Sequence, residues 1–273
     1  MPTAAANAVD LNYIESGNGA HSVVFAHGLL LDHQMFEAQR HALEGRYRVI
    51  AYDHRGQGES APAGSGYDMD SLTEDAVDLI RATQSAPCHF VGLSMGGFVG
   101  MRLAARYPEL VRSLTLLNTS ASAEPLSRRI RYRAMQAVVA LFGPGPLLSQ
   151  VLPVMFGQSF RNDPARRAEL TRWVHHVQSL PRRIVGPVGG VISRPGIIEE
   201  LKYIRCPTLV ISGDEDHTTP PAEADRIVAE IAGARLVRLP QCGHTSSIEA
   251  PAAVSAAIAN FLADVDAIPA VAA

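Results

Sequence analysis

Cysteine is scarce: Cys88, Cys206 and Cys242 are the only three among 273 residues. An odd number at wide spacing excludes a disulfide framework and points to a reducing, cytoplasmic setting. No cysteine/histidine grouping has zinc-site spacing, so neither a metal nor an organic cofactor is expected. Long apolar runs are missing as well; none approaches the ~20 residues that span a bilayer. The opening stretch, Met1 to Ala6, lacks the basic and apolar regions of a secretory signal, so no membrane partner is expected. Excess charge of one sign is also absent. The 24 basic and 27 acidic side chains leave a formal −3, which gives no general attraction to nucleic acid. What remains is an ordinary globular balance, with 47% hydrophobic and 19% charged residues, so an ordered chain is expected rather than a disordered one. The length suits one large domain, or a core with an inserted subdomain, acting on a small molecule as a monomer or homodimer.

Short apolar runs that end in turn residues alternate with helical patterns, the signature of an α/β fold with a mostly parallel central sheet flanked by helices. Residues 23–26, 48–52, 89–93 and 113–117 read as buried strands. Leu72, Ala76, Leu79 and Ile80 recur with a helical period over 70–83, and a second helix is expected over 95–106. The alternation stops near Asn118. From 119 to 205 the chain is arginine-rich and helix-like, broken at Gly143-Pro144-Gly145-Pro146 and Gly186-Pro187. This stretch is expected to be an inserted helical cap. Strands at 207–211 and 235–239 and helices near 221–232 and 251–263 complete the pattern. The core is therefore placed at 1–118 and 206–266, with 267–273 as a frayed tail.

Gly92-Leu93-Ser94-Met95-Gly96 matches G-x-S-x-G and lies between an apolar strand and a helix, the context that a nucleophile elbow requires. A serine on so sharp a turn is strained, and flanking glycines let strand and helix approach closely. Its hydroxyl needs a base, and the base needs a carboxylate to orient it. His244 follows the last predicted strand and supplies the base. Ser212-Gly213-Asp214-Glu215-Asp216 follows the preceding strand and offers three acids, which spacing alone does not separate. Acyl transfer further requires donors for a developing oxyanion. The backbone N–H groups of Met95 and Leu29 are the candidates, Leu29 lying in the loop after the first buried strand. His27 and Gly28 of that loop, with Phe142 of the cap, are candidate substrate contacts.

His27-Gly28, Asp53-His54-Arg55-Gly56-Gln57-Gly58-Glu59-Ser60, Gly92 to Gly97 and Gly243-His244 run in order across nearly the whole chain. Together they resemble the α/β-hydrolase family. Within it, Asp53-His54-Arg55-Gly56, the serine motif and Leu116-Leu117-Asn118-Thr119 are similar to 3-oxoadipate enol-lactonases and cofactor-free haloperoxidase/esterases. Members resembling this pattern carry the acid in G-x-x-D-x-x-x-P, which Gly213, Asp216 and Pro220 fit; the resemblance thus selects Asp216. It implies a Ser94–His244–Asp216 triad that cleaves a small ester or lactone, with Asp53 and Arg55 in structural roles. The same triad would serve a C–C bond hydrolase or a perhydrolase, and the fold alone would serve a non-catalytic ligand receptor.

Charge is unevenly spread. Residues 119–205 hold 12 arginines and one lysine against five acids, a formal +8, and the remainder carries −11. Such a lid, densest at Arg128, Arg129, Arg131 and Arg133, would draw in anionic esters or lactones. Alternatively, these arginines coat solvated helix faces and pair with acids of the core.

Overall fold

Six runs rich in Val, Ile, Leu and Phe become the parallel strands of the sheet, because residues apolar on both faces are stable only where helices cover both faces. The computed structural model of the chain describes residues 2–267. These strands are β3 (Ser22–Ala26), β4 (Arg48–Tyr52), β5 (Cys88–Leu93), β6 (Val111–Leu117), β7 (Thr208–Gly213) and β8 (Arg235–Leu239). Two strands were not anticipated, β1 (Thr3–Ala6) and β2 (Val9–Ser16). They form a hairpin whose two turn residues, Asn7 and Ala8, both adopt positive φ, 44° and 62°. That is the conformation a two-residue turn needs to match strand twist. The hairpin joins the edge antiparallel to β4, and the order across the sheet is β1-β2-β4-β3-β5-β6-β7-β8.

One face is covered by α2 (Met69–Ala82), α3 (Met95–Arg106) and α9 (Pro221–Glu230), the other by α1 (Glu37–Leu43) and α11 (Pro251–Asp266). Local chemistry sets the starts: the Asp68 carboxylate accepts from the Ser71 N–H ahead of α2, and prolines open α9 and α11, where a missing N–H costs nothing. A short α10 (Ser246–Glu249) precedes α11. The sequence placed these core helices within a few residues; α1 went unread. The tail expected at 267–273 lies, from residue 268 on, outside the described residues.

Between β6 and β7 the chain leaves the sheet for α4 (Leu126–Phe142), α5 (Leu148–Met155), α6 (Gln158–Asn162), α7 (Arg167–Ser179) and α8 (Val185–Ser193). This insertion is anchored on both faces. Phe156, Phe160 and Trp173 join the α1/α11 side, while Ile197, Leu201 and Ile204 join the α2/α3 side. Residues 197–204 therefore pack with the core helices. No described helix is long and apolar enough to cross a membrane.

The insertion approaches the core closely at Gly190 of α8, where an added Cβ would sit 1.8 Å from the Tyr67 carbonyl oxygen. Gly190→Ala is expected to cost about 1–3 kcal/mol through forced separation of α8 from that backbone. At this chain length the melting temperature would fall by roughly 2–10 °C. A scanning-calorimetry Tm equal to that of wild type would contradict the contact.

Candidate active site

Parallel strands all end at one edge of the sheet, so polar residues placed just after different strands converge there. Gly28 and Leu29 follow β3, Ser94 follows β5, Asn118 follows β6, Asp216 follows β7 and His244 follows β8. Ser94 joins β5 directly to α3, with φ of 51° and ψ of −108°. A side chain in this region costs on the order of 1–3 kcal/mol and persists only when its surroundings impose it. Here they do. The Ser94 N–H donates to Leu117 O at 2.9 Å, and Ser94 O accepts from Thr119 Oγ1 at 2.8 Å. Gly96 brings α3 so close to β3 that a Cβ would lie 2.0 Å from Ala26 O.

His244 Nδ1 donates to Asp216 Oδ2 at 2.8 Å, which leaves Nε2 to accept from Ser94 Oγ at 2.9 Å. All three side chains are buried. Asp216 is the most heavily bonded. Its Oδ1 accepts from the N–H groups of Thr218 and Thr219 at 2.8 and 3.0 Å, and its Oδ2 from Asn118 Nδ2 and Thr219 Oγ1 at 2.9 and 2.7 Å. Burial alone would raise its pKa; the His244 ring and these donors outweigh burial and hold it at about 2. The other two acids go elsewhere: Asp214 is exposed, and Glu215 accepts from Ser159 of the insertion.

Two bracing residues escaped the sequence reading. Asn118 bridges Asp216 and Gly243 O, at 2.9 and 3.0 Å, and so ties the acid loop to the histidine loop. Its position directly after β6, at the edge shared with the serine, was the available signal. Glu249, buried, accepts from the N–H groups of Gly157, Gly243 and Thr245 and from Thr245 Oγ1, all at 2.8–3.0 Å. No short motif marks it.

The loop after β3 spends its amides selectively. Gly28 N–H donates to Met35 Sδ, Leu30 N–H to Gln57 Oε1 at 3.0 Å, and Leu31 N–H to Gly28 O. The Leu29 amide joins none of these bonds, and Met95, at the first position of α3, has no carbonyl one turn back to receive its N–H. Asp53 supports the loop from behind: its Oδ1 accepts from His33 N and Nδ1 at 2.8 and 2.9 Å, and its Oδ2 from Asn12 Nδ2 and Glu59 N. Burial opposes the Asp53 charge, but the His33 and His27 rings and these bonds hold its pKa well below the usual carboxylate range. Arg55 pairs with the buried Asp75 of α2.

Ser94, His244, Gly28 and Leu29 open onto a cavity of about 170 Å³. Its walls are mainly aliphatic, with Val139, Val151 and Val188 from α4, α5 and α8. Two expected contacts are not brought to it. His27 is fully buried behind the loop, donating from Nδ1 to Gly28 O at 2.8 Å and accepting the His54 N–H on Nε2 at 2.9 Å. Phe142, at the last position of α4, is 68% exposed and points away from the lining. Nor do Arg128, Arg129, Arg131 and Arg133 line the cavity; Arg128 donates to the carbonyls of Thr218 and His217.

The profile of the alpha/beta hydrolase fold matches residues 21–251. A Klebsiella pneumoniae protein, provisionally assigned as the carbamate hydrolase RutD, is 30% identical over 239 residues, 84% of this chain and 86% of its own length. The crystal structure of the enol-lactonase from Burkholderia xenovorans LB400 superposes with a TM-score of 0.88 at 30% identity, over 96% of this chain and 100% of that one. A thermophilic esterase from Thermogutta terrifontis superposes equally well, TM-score 0.88 at 28% identity, over 97% and 98% of the two chains. With the profile spanning the sheet from β3 to the start of α11, and with relatives aligned over most of its length, the chain belongs to the α/β-hydrolase family.

Proposed function

We propose that the protein is a serine hydrolase that cleaves a small carboxylic ester or lactone through an acyl-enzyme intermediate. The observation that carries this reading is the unbroken line Asp216–His244–Ser94, opening on a mainly aliphatic cavity. Similarity to an enol-lactonase and an esterase supports the substrate class. Ser94 Oγ attacks the carbonyl carbon while His244 Nε2 takes its proton, and Asp216 stabilises the resulting imidazolium. The Leu29 and Met95 amides receive the oxyanion. Collapse expels the alcohol, protonated by His244. Water, deprotonated by the same nitrogen, then attacks the acyl group and frees the acid. Chain residues and water suffice for every step.

Removing the nucleophile or base from such a unit costs several orders of magnitude. Ser94→Ala and His244→Ala are expected to lower kcat for p-nitrophenyl butyrate by about 10⁴-fold or more, and Asp216→Asn by about 10³- to 10⁴-fold. Turnover by folded Ser94→Ala equal to that of wild type would refute the assignment.

Because Asp216 stays ionised down to about pH 2, its protonation should not contribute to the acid limb of activity, which is expected to fall with a slope of one. A slope of two in log(kcat/KM) against pH would contradict this. The same carboxylate contributes to stability. Its folded pKa lies below the ~3.9 of an unfolded aspartate, so its contribution is full above that value and lost as pH falls towards 2. The gap between wild type and Asp216→Asn in denaturant titrations is expected to be about 2–3 kcal/mol near pH 7 and to close towards pH 2. A constant gap would exclude the linkage.

A further inference from the structure

The insertion turns an unpartnered face outwards. Leu126, Ile130, Leu141 and Phe142 are 64–69% exposed, and among the described residues only Tyr203 joins them as an exposed large apolar side chain. All four belong to α4, which buries none of its residues. At 100° per residue, Leu126, Ile130, the exposed Ala137 and Leu141 fall within roughly 60° of one another, so they form one stripe along the helix. The opposite flank of α4, with Tyr132, Met135, Gln136 and Val139, lines the cavity. Arginines border the stripe, Arg129 and Arg133 on one side and Arg131 on the other, all exposed. Arg133 donates to Gln136 and Arg131 lies over the Tyr132 ring; unlike Arg128, none of the three stands within ion-pair distance of an acid among the described residues. Neither α4 nor the segments packed along it, Gly145–Leu147, Arg182–Ile184 and α8, contain an acid. Arg182 and Arg183 add two further exposed cations beside the helix.

An apolar patch rimmed by polar groups marks an interaction surface, and the charges around this one choose the occupant. A second copy packed symmetrically on the stripe would set these arginines against the same arginines. A nucleic acid would take the arginines and leave the apolar side chains against its polar backbone. A lipid surface with anionic headgroups satisfies both at once. The leucine and isoleucine side chains enter the acyl boundary, while the flanking guanidinium groups meet the phosphates. We propose that α4 docks the protein on anionic lipid surfaces, lying in the interface with Leu126, Ile130 and Leu141 inwards. Such attachment needs no crossing helix, and it departs from the sequence expectation that the chain has no membrane partner. The docked helix would separate the lipid from the cavity by its own diameter, about 10–12 Å. The docking does not depend on what Ser94 does.

Co-sedimentation of the full chain with vesicles tests it, using phosphatidylcholine alone and phosphatidylcholine with roughly 30% of the anionic phosphatidylglycerol. Wild type is expected to partition about tenfold or more in favour of the anionic vesicles. The preference should shrink at ~1 M salt, where the screening length is ~3 Å. Arg129→Gln with Arg131→Gln is expected to weaken that partitioning about 25-fold, roughly fivefold for each charge. Ile130→Ser with Leu141→Ser should weaken it about tenfold or more through lost apolar burial, with the salt dependence kept. None of these four side chains lines the cavity, so Tm and turnover of p-nitrophenyl butyrate should stay those of wild type. Wild type that ignores both vesicle types, or a serine variant that partitions like wild type, would overturn the docking. A dimer in light scattering that the serine variant dissolves would assign the stripe to a second copy instead. Duplex DNA bound as tightly as the anionic vesicles, by wild type and serine variant alike, would assign the arginines to nucleic acid. A chain that docks but hydrolyses no ester keeps the docking and loses only the hydrolase reading.

Discussion

The arrangement depends on one strained residue. Ser94 sits at positive φ between a buried strand and a buried helix, and its side chain makes no capping hydrogen bond to α3. It is imposed from outside, by the β6 carbonyl that takes its N–H, by the Thr119 hydroxyl on its carbonyl, and by α3 pressed against β3. The stability of the central sheet is thereby converted into the position of a single oxygen atom. Asp216 and His244 need no comparable strain, because their loops leave neighbouring strands at the same edge and are tied together through Asn118.

Much of this was legible because parallel strands and nucleophile turns have strong local signatures. Val23 to Ala26 and Arg48 to Tyr52 read as buried strands, and β5 and β8 fall within a residue, β7 within two, of where the sequence placed them. Other parts were not legible, for identifiable reasons. The β1–β2 hairpin turns on Asn7-Ala8, which lacks the glycine that usually marks such a turn. In α4 the apolar residues are spread round the helix and none is fully buried, so nothing in the sequence distinguished the exposed Phe142 from the cavity-lining Val139. His27 was misplaced because a polar residue at a strand end is compatible both with facing a substrate and with bracing a loop; the backbone groups of Gly28 and His54 claim both of its nitrogens.

The charge asymmetry shows why a count differs from a field. The insertion is strongly basic, but some of its arginines are paired with acids: Arg166 with Glu169, Arg172 with Glu37 of α1, and Arg194 with Glu124. The first two of these pairs are partly exposed and contribute little to stability. Of the insertion's arginines, only Arg194 lines the cavity, whose walls are mainly aliphatic.

Glu249 has a wider consequence. One buried carboxylate holds the backbone of Gly157 in the insertion and those of Gly243 and Thr245 on either side of His244. The insertion is therefore not an interchangeable module. A chimera that exchanged residues 119–205 for those of another family member would have to present an N–H where Gly157 presents one. Otherwise the loop carrying the imidazole would lose its anchor, even with every residue of the Ser94–His244–Asp216 line retained. Substrate range and the geometry of proton transfer would then have to diversify together.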